Sequence, residues 1–414
     1  MRFLCEILIR EFPCAKPCLI SFVAPVIHNA ASILEVLAIA GTLASLAYYV
    51  LCICGAFGFL WQPAVAGEGA RSTPVSILKP LRGTDPEMYE SLRSHCLQDY
   101  AEYEIIFGVS DAADPAIEFV ERLKAEFPAL PIRLIVCAQR LGANIKVSNL
   151  AQMLPEARHD YLIVNDSDIR VEPDYLRRVV APLADAKIGL VTCLYRGVPG
   201  PSLGSRLESL GISTDFCAGV LAARFLERGI RFGLGSTLAF RRRDLAAIGG
   251  FEAIVDYLAD DYELGSRIAA QGLKVRLSEV VVETFLPRYS LKSFIDHQLR
   301  WLRTVRASRP AGYAGLLLTF GIPWALLALV CAFRSPWAWA LLGAAVTLRL
   351  TVAVVVGRVV LRDRYVSALL GLIPLRDFAA LFVWLAGFTG NTVKWRGDSF
   401  ELKDGKLSRI NSKP

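Results

Sequence analysis

Residues 36–60 contain no charged side chain. As one helix rising about 1.5 Å per residue, such a run crosses a hydrocarbon core of about 30 Å. Trp61 follows it, where an interfacial aromatic belongs. The rest of the chain agrees: 54% of the 414 residues are hydrophobic and the mean hydropathy is +0.42, more apolar than a soluble enzyme of this length. The chain therefore reads as a membrane protein. Its net charge of +7 suits anionic head groups or a nucleotide diphosphate and gives no ground for a nucleic-acid partner. The ten cysteines are scattered. Cys52, Cys54 and Cys331 lie in apolar runs, and Cys14 and Cys18 have no second pair at zinc spacing, so they read as buried thiols in a reducing compartment. Arg2, Glu6, Arg10, Glu11 and Lys16 argue against a cleaved signal and predict an interfacial or disordered segment at 1–32.

The remaining organisation follows from where hydrophobicity stops and returns. A transmembrane helix is expected at 33–61 and a linker of small and polar residues at 62–73. A globular domain is expected at 74–309, membrane segments at 310–390 and a polar, basic tail at 391–414. Within the globular part, short apolar runs at 75–78, 104–109, 134–137, 161–164 and 190–193 alternate with amphipathic stretches such as 116–127 and 144–154. That alternation predicts βαβ units and a mostly parallel sheet, with ligands beyond the carboxyl ends of the strands.

Past the domain, 312–333 and 336–357 are long enough to span, and 366–388 is a third candidate that contains Pro374, Arg376 and Asp377. Arg71, Arg303, Arg306 and Arg309 flank the membrane on the globular side, which places that domain in the cytoplasm. Arg358, Arg362 and Arg364 agree if the two preceding segments cross. The basic tail conflicts with a third complete crossing, so 366–388 is expected to be interfacial, re-entrant or packed on protein.

Four acidic or basic constellations carry candidate chemistry. The strand at 161–164 runs into Asp166-Ser-Asp168, two carboxylates that can hold Mg²⁺ or Mn²⁺ against a diphosphate, or simply form a solvated turn. Asp111 and Asp114 follow another strand. Asp114 before Pro115 is a helix cap or a contact to a nucleoside. Asp260 and Asp261 open a helical pattern, either as cap and first-turn acid or with a general base among them. His297, Arg300 and Trp301 share one helix face just before the membrane. They suit a diphosphate and acceptor wall, or a basic juxtamembrane helix. Arg241, Arg242 and Arg243 read as solvated charge.

Taken in order, Asp114, Asp166-Ser-Asp168, Asp261 and Arg300-Trp301 resemble the D, D-x-D, D, (Q/R)-x-x-R-W series of inverting, family-2-like glycosyltransferases with a GT-A fold. The closer resemblance is to ceramide glucosyltransferases (family 21) and their bacterial relatives, including the glycosyltransferase of hopanoid biosynthesis. It is carried by Val75-Ser-Ile-Leu-Lys-Pro-Leu-Arg-Gly83, Ser110-Asp-Ala-Ala-Asp-Pro-Ala116, Gly142-Ala-Asn-Ile-Lys146-Val-Ser-Asn149, Ala259-Asp-Asp-Tyr262 and Lys394-Trp-Arg396.

The resemblance implies an α/β, GT-A-type (Rossmann-like) catalytic domain between N-terminal and C-terminal transmembrane helices. It places Lys79, Pro80, Leu81, Arg82, Gly83, Asp114, Lys146, Asp166 and Arg300 at a nucleotide-sugar, and Asp166 and Asp168 at the metal. It makes Asp261 the general base and puts His297 and Trp301 in the acceptor region. The implied partners are a UDP-sugar donor, a membrane lipid acceptor and the bilayer itself. His297 stands where the family usually has Gln or Arg, and the phrase His-Gln-Leu-Arg-Trp points to the hopanoid-type branch. That branch implies transfer of N-acetylglucosamine or glucose to a polyol such as bacteriohopanetetrol, at a bacterial inner membrane. The alternative is a ceramide acceptor. A processive polysaccharide synthase would need more spans, and a non-enzymatic membrane binding protein leaves the ordered acids unexplained.

Overall fold

The computed structural model describes residues 17–63, with side chains from 31 onward, together with 73–395 and 398–410. Residues 1–16 of the expected N-terminal segment and 64–72 of the expected linker lie outside the described residues. The first helix runs Pro17–Leu60, and its Ala31–Leu60 part is long and apolar enough to cross a membrane.

The domain is built on an eight-stranded sheet. Its strands are β1 (Val75–Pro80), β2 (Tyr103–Val109), β3 (Ile132–Val136), β4 (Tyr161–Val164), β5 (Ile169–Arg170), β6 (Ile188–Val198), β7 (Leu238–Arg241) and β8 (Lys274–Phe285). Their order is β3-β2-β1-β4-β7-β6-β8-β5. The first four are parallel, as the βαβ pattern predicts, and β1 and β2 are apolar and buried almost throughout, as strands covered on both faces must be. The second half departs from that expectation. β7 runs antiparallel to both β4 and β6, while β6 and β8 are parallel. β7 is only four residues long and runs into three arginines, so its periodicity is too short to read. One arginine explains the location: Arg241, expected in solvent, is buried, pairs with Asp244 at 2.7 Å and donates to the carbonyls of Leu183 and Ile188.

One face of the sheet carries the helices Met88–Cys96, Ala116–Glu126 and Tyr175–Val180 over a core that includes Ile77, Phe107 and Ile163. The other face shares its core with the long apolar first helix, through Tyr49, Cys52, Ala56 and Phe59. Gly55 permits that approach, because a Cβ there would stand 2.4 Å from the Leu221 carbonyl oxygen. Leu221 lies in Leu203–Leu226, a further helical stretch long and apolar enough to cross a membrane, more buried than the other candidates and interrupted by one wide turn at Ile212–Phe216.

The expected span at 312–333 is not straight. Pro310–Thr319 and Gly321–Cys331 meet at 52°. Pro323 has no N–H to offer the Thr319 carbonyl. Tyr49 Oη donates to that carbonyl at 3.2 Å instead and accepts from Gly321 N at 3.1 Å. Pro336–Val360 and Val366–Ala386 are also long and apolar enough to span. Arg349, Arg376 and Asp377 inside them are buried, and Arg349 donates to both Asp377 carboxylate oxygens at 3.1 Å, while Arg358 near the end of the first is exposed. The tail, expected to be polar and basic, holds a three-stranded antiparallel sheet of β9 (Thr392–Trp395), β10 (Asp398–Lys403) and β11 (Lys406–Arg409), with Phe400 and Val393 packed on Leu258.

Candidate active site

The parallel strands β1, β2 and β4 end on the same side of the sheet, and the residues just past β1 and β4 form one wall of a cavity of about 1480 Å³. After β1 come Pro80, Leu81 and Arg82, which line it. Gly83 then turns the chain with φ +67, a conformation that disfavours any side chain. Asp114 does not line the cavity. Its carboxylate accepts from Gly83 N at 3.0 Å and from Ala116 N at 2.9 Å, so it ties the start of the following helix to the Leu-Arg-Gly turn, although Pro115 holds the cap position. Lys79 also lies behind the wall. It is fully buried, and its ammonium reaches the Asp166 carbonyl at 3.1 Å and His95 Nε2 at 3.3 Å. Burial lowers its pKa to about 7 against the opposing pull of Asp168 and Asp166.

After β4 the acids Asp166 and Asp168 reach the cavity wall. Lys146, from the helix Ile145–Met153, bridges Asp166 Oδ1 at 2.8 Å and Asp260 Oδ2 at 2.9 Å. Burial works against the charge on Lys146, but Asp166 and then Asp260 outweigh it and raise its pKa. Asp168 accepts from Thr284 Oγ1. Burial first, and Asp166 second, push its pKa up to about 6. Asp85 joins this group through Ser167 Oγ at 2.5 Å. Among the described residues no three His, Cys, Asp or Glu side chains form a closed metal cage. Two carboxylates beside a phosphate-sized space are nevertheless the donor set of a Mg²⁺-type site, which takes its other ligands from water and substrate phosphates. The residues present therefore fit such an ion.

Beside Asp166 and joined to it through Lys146, Asp260 and Asp261 open the helix Asp260–Ala270. Ala259 occupies the cap position, so neither acid caps the helix. Asp261 Oδ2 accepts from Gly235 N at 2.7 Å and Oδ1 from Tyr262 N at 2.8 Å, which aims the carboxylate. Burial and the neighbouring Asp260 raise its pKa to about 6, with Lys146 opposing.

The third wall is aromatic. His297, Arg300 and Trp301 line the cavity from the helix Leu291–Ser308. The His297 ring stacks on Tyr289 (centroids 5.5 Å apart) and meets Trp301 at 5.2 Å, and Trp301 meets Phe216 at 5.8 Å. His297 Nδ1 faces the fully buried Glu208 at 3.0 Å, which gives this residue a defined partner at its unusual position. Sequence reading missed Glu208, Tyr289, Phe216, Asp85 and Gly235. Only Tyr289, within a turn of the motif helix, had any local signal. The cavity continues past this wall to Tyr48 and Leu51 of the first helix and to Phe320 at the bend of 310–331, so one space joins the acids to the apolar segments.

A family model described as Glycosyl transferase family 21 matches residues 37–408. Among curated proteins, Ceramide glucosyltransferase 3 of Caenorhabditis elegans is 27% identical over 237 residues, covering 57% of this chain and 51% of that protein. Ceramide glucosyltransferase of Komagataella phaffii is 35% identical over 284 residues, covering 55% of this chain and 56% of that one. The chain thus spans about half the length of the curated relatives it matches. Among solved structures, the mannosyltransferase PcManGT of Pyrobaculum calidifontis, in complex with GDP-Man and Mn²⁺, has a TM-score of 0.54 at 23% identity. It covers 86% of this chain and 98% of its own, which establishes the GT-A-like fold.

Proposed function

The chain belongs to glycosyl transferase family 21, and from that premise we propose that it transfers glucose from UDP-glucose, with inversion, to the hydroxyl of a ceramide-type lipid. What carries this reading is the single cavity that joins the acids Asp166 and Asp261 to Tyr48, Leu51 and Phe320 of the membrane helices. A lipid can keep its chains among those helices while its hydroxyl reaches the carboxylates. The curated relatives named ceramide glucosyltransferase move the acceptor from the hopanoid polyol expected of the sequence to a ceramide. The polyol at a bacterial inner membrane stays as the second reading, favoured by His297 at the position where the family usually has Gln or Arg.

In this reading Asp261 takes the proton of the lipid hydroxyl as its oxygen bonds to the anomeric carbon and the bond to the diphosphate breaks, releasing UDP. Its two backbone N–H bonds hold the carboxylate in position, and a pKa near 6 leaves it ionised at neutral pH yet basic enough to take a proton. Asp166 and Asp168 would hold a Mg²⁺ or Mn²⁺ ion, which when bound supplies charge neutralisation for the departing diphosphate. The mannosyltransferase of like fold is described with Mn²⁺. Arg82 and Arg300 add positive charge at the same cavity, and Lys79 and Asp114 brace the loops that carry it.

We further propose a topology with the catalytic domain in the cytoplasm, on the basic residues Arg71, Arg303, Arg306 and Arg309 at its flanks. Arg196 donates to the Leu361 carbonyl at 2.8 Å and Ser213 to Asp363 at 2.7 Å, tying the start of Val366–Ala386 to the domain. Arg306 donates to the Gly390 carbonyl at 2.8 Å, tying its end to the same side. The bent pair 310–331 and the helix Pro336–Val360 then cross out and back, and Val366–Ala386 lies along the interface. That arrangement removes the conflict posed by the basic tail. Mass spectrometry of lipids, after incubating the purified full chain with UDP-sugars and separate ceramide and hopanoid-polyol acceptors, tests the function. Hexosylceramide is the expected product. Product from the polyol alone would replace the first reading by the second, and no lipid product would overturn both.

A further inference from the structure

Where the aromatic wall meets the apolar helices, one carboxylate is held by protein on one side and open on the other. The wide turn at Ile212–Phe216 carries Asp215 beside Phe216, whose ring meets Tyr195 at 5.5 Å and Trp301 at 5.8 Å. Asp215 Oδ1 accepts from Arg349 Nη2 and from the Thr214 hydroxyl. Asp215 Oδ2 lies 3.3 Å from Arg376 Nη2, but Nη2 donates to Gln298 Oε1 at 2.9 Å, and Gln298 in turn donates to the buried Glu208 at 2.9 Å. Oδ2 accepts no hydrogen bond among the described residues, and it is not a buried atom. The Asp215 side chain is 30% exposed and lines the cavity, whereas those of Arg349 and Arg376 are 4% and 7% exposed. Gly219, one turn on, bears no side chain to cover the carboxylate: a Cβ there would meet only Tyr48 Oη, at 3.6 Å. Gly219 and Tyr48 line the same cavity.

A carboxylate oxygen accepts and has nothing to donate, so the group that completes Oδ2 is an N–H or an O–H. Charge narrows the choice. Arg349 and Arg376 are matched by Asp215 and Asp377. A phosphate or carboxylate would be repelled, and an ammonium would add a charge without a partner beside apolar helices. A neutral donor leaves the balance as it is. We infer that Asp215 is an acceptor-specificity residue whose Oδ2 takes a neutral donor of the lipid, an amide N–H or a second hydroxyl, lying nearer the apolar helices than the hydroxyl that reacts. A lipid whose only donor is its reacting hydroxyl is then a poor acceptor.

This inference rests on the lipid-acceptor reading above, and its test keeps the two separable. The full chain, as wild type and as Asp215→Asn, is assayed with UDP-glucose and three acceptors: a short-chain N-acylsphingosine, its ester analogue with oxygen in place of the amide N–H, and its 3-deoxy analogue. UDP affinity is measured beside each assay. In the wild type one analogue is expected to raise KM about tenfold, the loss of about one charge-assisted hydrogen bond, with UDP affinity unchanged. A rise with the ester identifies the amide N–H as the donor, and a rise with the 3-deoxy analogue identifies a hydroxyl. In Asp215→Asn the parent lipid should rise to the KM of that analogue, and the analogue should change no further, because both changes remove the same contact. Asp215→Glu keeps the ion pairs but moves the oxygen, and stands in should the first variant not fold. KM values equal to the parent's for both analogues in the wild type, or a penalty that persists undiminished in the folded variant, would overturn the inference and leave the lipid reading in place. Should the wild type glycosylate a triterpenoid polyol and no N-acylsphingosine, the polyol and its counterpart with only the terminal hydroxyl make the same comparison. Transfer to neither lipid would overturn the lipid reading itself, and the inference with it.

Discussion

Gly235 donates its N–H to Asp261 Oδ2 at 2.7 Å, and a Cβ on Gly235 would stand 2.7 Å from Asp166 Oδ2. One backbone position therefore sets both the proposed base and a proposed metal carboxylate. Gly235→Ala should be well tolerated by the fold, because the atom it meets is the end of a side chain that can rotate away. The displaced carboxylate should cost about tenfold or more in kcat/KM. Thermal unfolding and turnover, measured together, check the contrast.

Asp261→Asn should lose about 10²–10⁴ in turnover, the usual contribution of a general base, with UDP affinity retained. Asp260→Asn should lose less, and through a different route: it removes one of the two carboxylates that hold Lys146. Turnover and UDP binding of both variants decide the assignment. Full activity of Asp261→Asn would remove it.

The raised pKa of Asp261 sets the pH profile. The base must be ionised to act, and a folded pKa near 6 means the ionised fraction falls below that pH. Asp168, with a pKa also near 6, titrates in the same range, so the kcat/KM for lipid should drop by more than about tenfold per unit well below pH 6 and level off above it. Asp261→Asn should make the fall in the residual rate shallower, leaving the Asp168 ionisation.

Much of this site was legible because its signals are local. Asp166-Ser-Asp168 follows a short apolar strand, Asp260 and Asp261 open a helix, and His297, Arg300 and Trp301 share one helix face, so spacing marks them as candidates and the family resemblance supplies their roles. What stayed hidden depends on contacts across the chain. Glu208 and Arg376 sit in apolar helices where a charge reads only as an oddity, and their meaning appears when Gln298 joins them. Lys79 belongs to a motif that suggests ligand contact, but only the fold shows its ammonium turned inward to the Asp166 carbonyl. The tail sheet has strands of four to six residues with mixed polarity, too short for a periodic signal.

That sheet makes the tail part of the site. Leu258 N donates to the Gly405 carbonyl at 3.2 Å and Leu407 N to the Asp256 carbonyl at 2.7 Å, just before Asp260 and Asp261. Phe400 is buried at its centre. Phe400→Ala should remove about 3–5 kcal/mol of packing, more than so small a sheet can lose and stay docked. Limited proteolysis should then cut within 392–409, and turnover should fall while the membrane helices remain folded. An undocked tail with normal turnover would separate it from the site.

The central claim is an inverting transfer of glucose to a ceramide-type hydroxyl at the Asp261 carboxylate. The most direct measurement is the anomeric configuration, by NMR, of the lipid product formed by the purified full chain from UDP-glucose, whose glucose is α-linked, and ceramide. A β-linked glucosylceramide is the predicted product. An α-linked product, or UDP-glucose consumed with no glycolipid formed, would contradict the account.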